Sequence, residues 1–195
     1  MKKLLLASAV ALVASSAMAS ENTFYFRADA GAAFMPKAKV NGASGKRTNH
    51  VVADLGVGTY LMDNVRVELD LANSFNAKQK FSTKAASDTV KVTATSLHLK
   101  ALVDIFDYGY GKAFAGVGAG MTQLSGKSPA FGKAKKKNNV NFLGTAGVSI
   151  DVSEGVMLDV AYSYVDHGKT KGFGSTTNKL HFKTHNVTAG VRVEL

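Results

Sequence analysis

Apolar and polar residues alternate one by one along most of this chain. Near its end Val187, Ala189, Val191, Val193 and Leu195 are apolar, and Thr188, Gly190, Arg192 and Glu194 stand between them. Successive side chains of a strand point to opposite faces, so this pattern predicts a strand with one apolar and one polar face. Seven earlier segments repeat it, and the eight together cover roughly 23–34, 49–61, 65–75, 89–106, 112–124, 139–152, 156–167 and 181–195. The apolar face carries Phe24, Phe26, Ala28 and Ala30 on the first segment and Leu55, Val57 and Leu61 on the second. It continues through Val65, Val67, Leu69 and Leu71, then Leu97, Leu99, Ala101, Val103 and Ile105. It is thinner at Ala115, Val117, Ala119 and Met121. It is full again at Val140, Phe142, Ala146, Val148 and Ile150, and at Val156, Leu158, Val160, Tyr162 and Tyr164. Val90 and Val92 break the parity of the fourth segment, which predicts a bulge there or an exit from the apolar layer.

The opposite face holds Arg27, Asp29, Asp54, Arg66, Glu68, Asp70, Lys100, Asp104, Asp151, Asp159, Arg192 and Glu194, with glycines at 56, 58, 116, 118 and 120. Charges of both signs can pair inside a narrow barrel, where unpaired ones would be costly. Small residues leave room for long neighbours in an eight-stranded interior, which side chains fill. The connections also sort by length. Residues 62–64, 107–111 and 153–155 are short and turn-like, whereas 35–48, 76–88, 125–138 and 168–180 are long and polar. Apolar outside, polar inside, no free edge, short turns at one end and long loops at the other: together these predict an all-β, eight-stranded antiparallel transmembrane up-and-down β-barrel. Its interior should be plugged rather than an open pore.

The first nineteen residues read differently. Lys2 and Lys3, the apolar run Leu4–Val13 and the small residues Ala17-Met18-Ala19 make a cleavable export signal, 1–19, ahead of the barrel at 20–195. Cysteine is absent, which excludes a disulfide-built exported domain. The formal net charge is +10, or +8 once Lys2 and Lys3 are removed. A basic chain suggests nucleic acid as a partner, but an export signal argues against it, and anionic surfaces fit better.

These features make the chain resemble small eight-stranded outer-membrane proteins of Gram-negative bacteria, of the opacity-protein and OmpX/Ail-like type. Within that group it is most similar to the rickettsial surface adhesins. The most specific local match is the C-terminal insertion signal, Thr188-Ala189-Gly190-Val191-Arg192-Val193, although the chain ends in Leu195 where such proteins usually end in Phe. The resemblance implies an outer-membrane location, insertion by the barrel-assembly machinery, lipopolysaccharide as a neighbour and, in many members, adhesion to a host. Phe34, Phe75, Phe142, Tyr162 and Tyr164 would form one aromatic girdle, and Phe24, Phe26, Phe106 and Tyr108 the other.

The long loops carry the sharpest chemical signal. They hold Lys37, Lys39, Lys46 and Arg47, then Lys78, Lys80 and Lys84, then Lys127, Lys133, Lys135, Lys136 and Lys137, and finally Lys169, Lys171 and Lys179. These are fifteen of the 24 lysines and arginines, against a single loop acid, Asp88. Such a cluster either rims the barrel against lipopolysaccharide phosphates or captures an acidic host partner, a surface or matrix glycoprotein or a glycosaminoglycan. Phe81, Phe131 and Phe173 are loop aromatics of the kind that anchor interfaces.

Catalytic signals are weak. His50, His98, His167, His181 and His185 lack metal-ligand spacing, though His181 and His185 share a strand face. Gly116-Val117-Gly118-Ala119-Gly120 precedes no helix and so reads as strand interior. No enzyme activity, cofactor or metal is expected. The rival to an adhesin is a structural or small-solute (porin-like) barrel without a protein ligand.

Overall fold

The computed structural model describes residues 23–36, 39–40, 43–44, 48–82, 87–128, 132–133, 136–169 and 181–195. The strands are β1 (Phe24–Met35), β2 (Lys39–Val40), β3 (Ala43–Ser44), β4 (Thr48–Met62), β5 (Val65–Ser82), β6 (Ser87–Asp107), β7 (Gly111–Ser128), β8 (Gly132–Lys133), β9 (Lys137–Ser153), β10 (Val156–Lys169) and β11 (His181–Glu194). Eight of them, all but the two-residue β2, β3 and β8, form the barrel. Every neighbour in the wall is antiparallel and next in sequence, and β1 closes the ring on β11 from Tyr25↔Glu194 to Phe34↔His185. The chain is a closed eight-stranded antiparallel barrel. No described helix is long and apolar enough to cross a membrane.

The face assignment follows the alternation. Leu55, Leu99, Val117, Phe142, Val160 and Val191 look outward and are exposed, whereas Arg27, Glu68, Lys100, Asp159 and Arg192 are buried inside. The short connections are turns at Asp63-Asn64 and Glu154-Gly155 and a bend at Gly109-Tyr110. Gly109 and Gly155 adopt φ of 86° and 69°, the left-handed region that favours glycine.

Two expectations change. The stretches 76–88 and 125–138 are not wholly loop. β5 and β6 stay paired up to Ser82↔Ser87, and β7 extends to Ser128 and takes β8 as a further partner. Among the described residues, the wall formed by β5, β6 and β7 therefore stands taller than the rest. The parity break expected at Val90 and Val92 is not a break in β6 over the described side chains. Val92, Ala94, Ser96 and His98 all face inward, and the irregularity lies on the partner strand between Ser74 and Ala77. Val92 is apolar because it belongs to an inner apolar layer with Met35, Ala77, Ala94, Leu124 and Phe182.

Inward glycines serve the long side chains as expected. A Cβ at Gly58 would fall within the Tyr25 ring, and one at Gly118 would come 3.1 Å from Lys100 Cγ. Gly58→Val should therefore lower barrel stability by about 1–3 kcal/mol or more, the usual range for overpacking. Unfolding in urea from phospholipid vesicles measures it, and an unchanged midpoint would mean that Tyr25 does not occupy that space.

Candidate functional site

The interior of the barrel is a network of paired charges. Glu68, at the centre, accepts from Arg27 Nη1 at 3.1 Å, Lys100 Nζ at 3.1 Å and the Tyr25 hydroxyl at 3.2 Å. Lys100 also lies 2.6 Å from Asp70 Oδ2, and Arg27 lies 2.6 Å from Asp29 Oδ2. Asp159 bridges Arg27 at 3.7 Å and Arg192 at 3.5 Å. Arg66 meets Asp104 at 3.4 Å and lies 4.7 Å from the centroid of the Phe114 ring. All four inward cations are thus paired with inward carboxylates. Asp151 and Glu194 have the same parity but sit at the open end, where they line a cavity of about 800 Å³ with Asp63, Glu154 and Lys112. The end with short turns is acidic.

Three of the five histidines point inward. His98 Nδ1 lies 3.1 Å from Asp70 Oδ1, and its Nε2 lies 3.0 Å from Asn141 Nδ2. His167 contacts Thr122 Oγ1 at 3.0 Å and Thr184 Oγ1 at 3.1 Å. Ser96 Oγ is 3.4 Å from His167 Nδ1, but both residues are buried, inside the wall that also carries the apolar layer around Phe182. That contact is part of a packing network, not an accessible nucleophile and base. His50 is buried beside Phe182, at 6.4 Å between ring centroids. His181 and His185 share the outer face. His181 Nε2 is 2.7 Å from Asp166 Oδ1, and His185 Nδ1 is 2.6 Å from the Tyr162 hydroxyl. No metal-holding group of His, Asp and Glu occurs among the described residues.

The candidate binding residues separate by position. Lys78, Lys136 and Lys169 are exposed at the end with long connections. Lys137 differs from the rest of its run: its ammonium donates to the Lys169 carbonyl at 2.9 Å and ties β9 to β10. Lys39, Lys80, Lys127, Lys133 and Phe81 fall on strands β2, β5, β7, β8 and β5. Lys37, Lys46, Arg47, Lys84, Lys135, Lys171, Lys179, Phe131 and Phe173 lie outside the described residues, as does the segment 1–19. The sequence reading passed over Lys91 on β6 and Lys183 on β11, because both fall inside strand segments. Lys183 lies 3.4 Å from Asp166 Oδ2 and 5.9 Å from the centroid of the Tyr164 ring.

Aromatic side chains mark the two edges of the apolar band. Phe75, Phe142 and Tyr162 are exposed on the outer face towards the long connections. Phe26, Phe106 and Tyr110 are exposed towards the short ones, where Tyr108 lies 5.4 Å from Phe106 and 5.9 Å from Tyr110.

The fold is shared with known proteins. Neisserial surface protein A superposes with a TM-score of 0.66 at 20% identity, over 90% of this chain and 100% of that one. The outer membrane protein OprG from Pseudomonas aeruginosa gives 0.55 at 16% identity, over 88% and 95%. Among sequences, the Rickettsia prowazekii protein named "Putative adhesin RP828" is 34% identical over 98% of this chain and 99% of its own length. A Rickettsia bellii relative named "Putative adhesin" is 33% identical over the full length of both chains. The family described as Outer membrane protein beta-barrel domain matches residues 5–193. A closed, charge-paired interior, an apolar outer band between aromatic edges and a family match over nearly the whole length agree: this chain belongs to the outer-membrane β-barrel protein family and resides in the bacterial outer membrane.

Proposed function

We propose that the chain is a surface adhesin whose basic loops bind acidic groups on host-cell surface, matrix or serum proteins. The observation that carries this reading is the charge asymmetry. Fifteen lysines and arginines and one acid belong to the four long connections, while the opposite mouth is acidic. A field of one sign concentrates partners of the other and raises association rates. The relatives named as adhesins support the same reading. The paired charges of the interior argue against the rival small-solute barrel, since a solute path would have to break them.

Replacing Lys133, Lys135, Lys136 and Lys137 by Ser should weaken adhesion roughly tenfold or more, taking each charge removed at up to about 1 kcal/mol. Barrel insertion should persist, because the interior network is untouched. Adhesion of the parent should fall steeply with salt, since exposed charges are screened beyond about 10 Å at 0.1 M. Counting adherent cells for parent and variant over a salt series checks both. Equal adhesion at every salt concentration would assign these lysines to lipopolysaccharide phosphates instead.

A further inference from the structure

Hydrogen bonds in the part of the lumen nearer the long connections fix where one proton sits. The Asp70 carboxylate only accepts; one oxygen lies 2.6 Å from Lys100 Nζ and the other 3.1 Å from His98 Nδ1. His98 Nδ1 therefore carries a hydrogen. Asn141 Nδ2 only donates, so His98 Nε2, 3.0 Å from it, is bare. The same Asn141 nitrogen donates to Thr122 Oγ1. Thr122 Oγ1 in turn lies 2.7 Å from Ser96 Oγ and 3.0 Å from His167 Nδ1. His167 Nε2 reaches Thr184 Oγ1 at 3.1 Å. This chain of polar groups joins β6, β7, β9, β10 and β11, and every member is buried.

The Asn141 carboxamide has two settings. As it stands, Nδ2 makes both contacts and Oδ1 has no donor among the described residues. Turned over, Oδ1 would take the place of Nδ2 and accept twice, leaving the amide nitrogen unpaired. Each setting makes two hydrogen bonds and leaves one end over. The hydrogens on the neighbours therefore decide between them.

Histidine is the side chain that gains charge in mildly acid water. A proton on His98 Nε2 would set donor against donor at Asn141. Turning the carboxamide removes the conflict, and His98 then donates to both Asp70 and Asn141 Oδ1. The Thr122 hydroxyl hydrogen must now go to Asn141, so Thr122 can only accept from His167. The single hydrogen of the His167 ring then sits on Nδ1, and Nε2 accepts from Thr184. His98 gains one proton from solvent, and His167 keeps the one it has.

The surroundings can carry the added charge, because a buried charge is tolerated where it is paired. Around the two rings stand Asp70 on β5, Asp54 and His50 on β4, Lys100 on β6 and Asp166 on β10, with Asp29 of β1 opposite Asp54. The neighbours from β7, β9 and β11 are the hydroxyls and amide already named. Asp70 and Asp54 outnumber Lys100, and Asp70 already touches the His98 ring. Thr122 and Asn141 flank the connection 125–138, and His167 and Thr184 flank the connection 168–180.

We propose that His98 and Asn141 form a proton-operated switch at the base of these two connections. Proton uptake at His98 turns the Asn141 carboxamide over and, through Thr122, fixes the hydrogen of His167 on Nδ1. The switch is independent of the adhesin reading.

The test uses the full barrel refolded in phospholipid vesicles, with isotope-labelled nitrogen in its histidine and asparagine side chains. Solid-state NMR follows these nitrogens from about pH 8 to about pH 5, the range in which histidines titrate. His98 Nε2 should shift from a bare nitrogen to an N–H. The Asn141 carboxamide and the His167 ring should shift with the same midpoint. In His98→Gln the shared transition of Asn141 and His167 should vanish, while His181 and His185 on the outer face still titrate. Thr122→Val removes the hydroxyl link, so Asn141 should keep its transition and His167 should lose it. The parent titration and Thr122→Val decide the matter even where His98→Gln fails to insert. An Asn141 carboxamide that stays unchanged while His98 takes up its proton overturns the proposal. So does a His98 Nε2 that stays bare throughout, or a His167 that responds identically in the parent and in Thr122→Val.

Discussion

Glu68→Ala should destabilise the folded barrel by about 3–5 kcal/mol, the range for breaking a buried ion pair by removing one partner. Glu68 is the shared acceptor for Arg27, Lys100 and Tyr25, and it is 1% exposed. Without it, two buried cations face each other and the Tyr25 hydroxyl loses its acceptor. Arg27 keeps Asp29 and Lys100 keeps Asp70, so the barrel should still form. Urea unfolding from phospholipid vesicles measures the loss, and Glu68→Gln, which retains an acceptor oxygen, should lose less. A change below 1 kcal/mol would show that water, not Glu68, solvates these cations.

Leu99→Arg tests the other face with a comparable effect. Leu99 points into lipid, 53% exposed, between Leu69 on β5 and Ala119 on β7. A charge at the middle of the apolar band should cost about 2–4 kcal/mol, whereas the same change near an interface costs about 0–1 kcal/mol. Val152→Arg, close to the Glu154-Gly155 turn, supplies that shallow control. Equal costs at the two sites would contradict the depth assigned to Leu99.

The wall of this barrel was legible because lipid and a filled interior impose opposite polarities on alternate residues. Val187 to Leu195 shows the rule in full. The charges at Arg27, Glu68 and Lys100 were readable as inward for the same reason, since alternation with apolar residues fixes their face. Register was not legible. A periodic sequence says which face a residue takes, but not which residue stands opposite it. That Lys78 stands opposite Lys91, and Lys91 opposite Lys127, is a fact of register, and Lys78 and Lys127 looked like ordinary loop lysines. The inner apolar layer escaped for a related reason. Val92 and Phe182 are apolar on a face expected to be polar, and an apolar residue looks the same whether it meets lipid or another strand's side chain. The hydrogen bond from Lys137 to the Lys169 carbonyl joins strands 32 residues apart, so no local pattern could announce it.

The central claim is that the barrel exists to present its basic end to a host surface. Expressing the chain in a non-adherent Gram-negative bacterium tests this most directly, with surface display confirmed by protease cleavage in the long connections. Such cells should gain adherence to host cells, and the gain should vanish when the loop lysines are neutralised or the salt is raised. Cells that display the folded barrel yet adhere no better than cells without it would contradict the account.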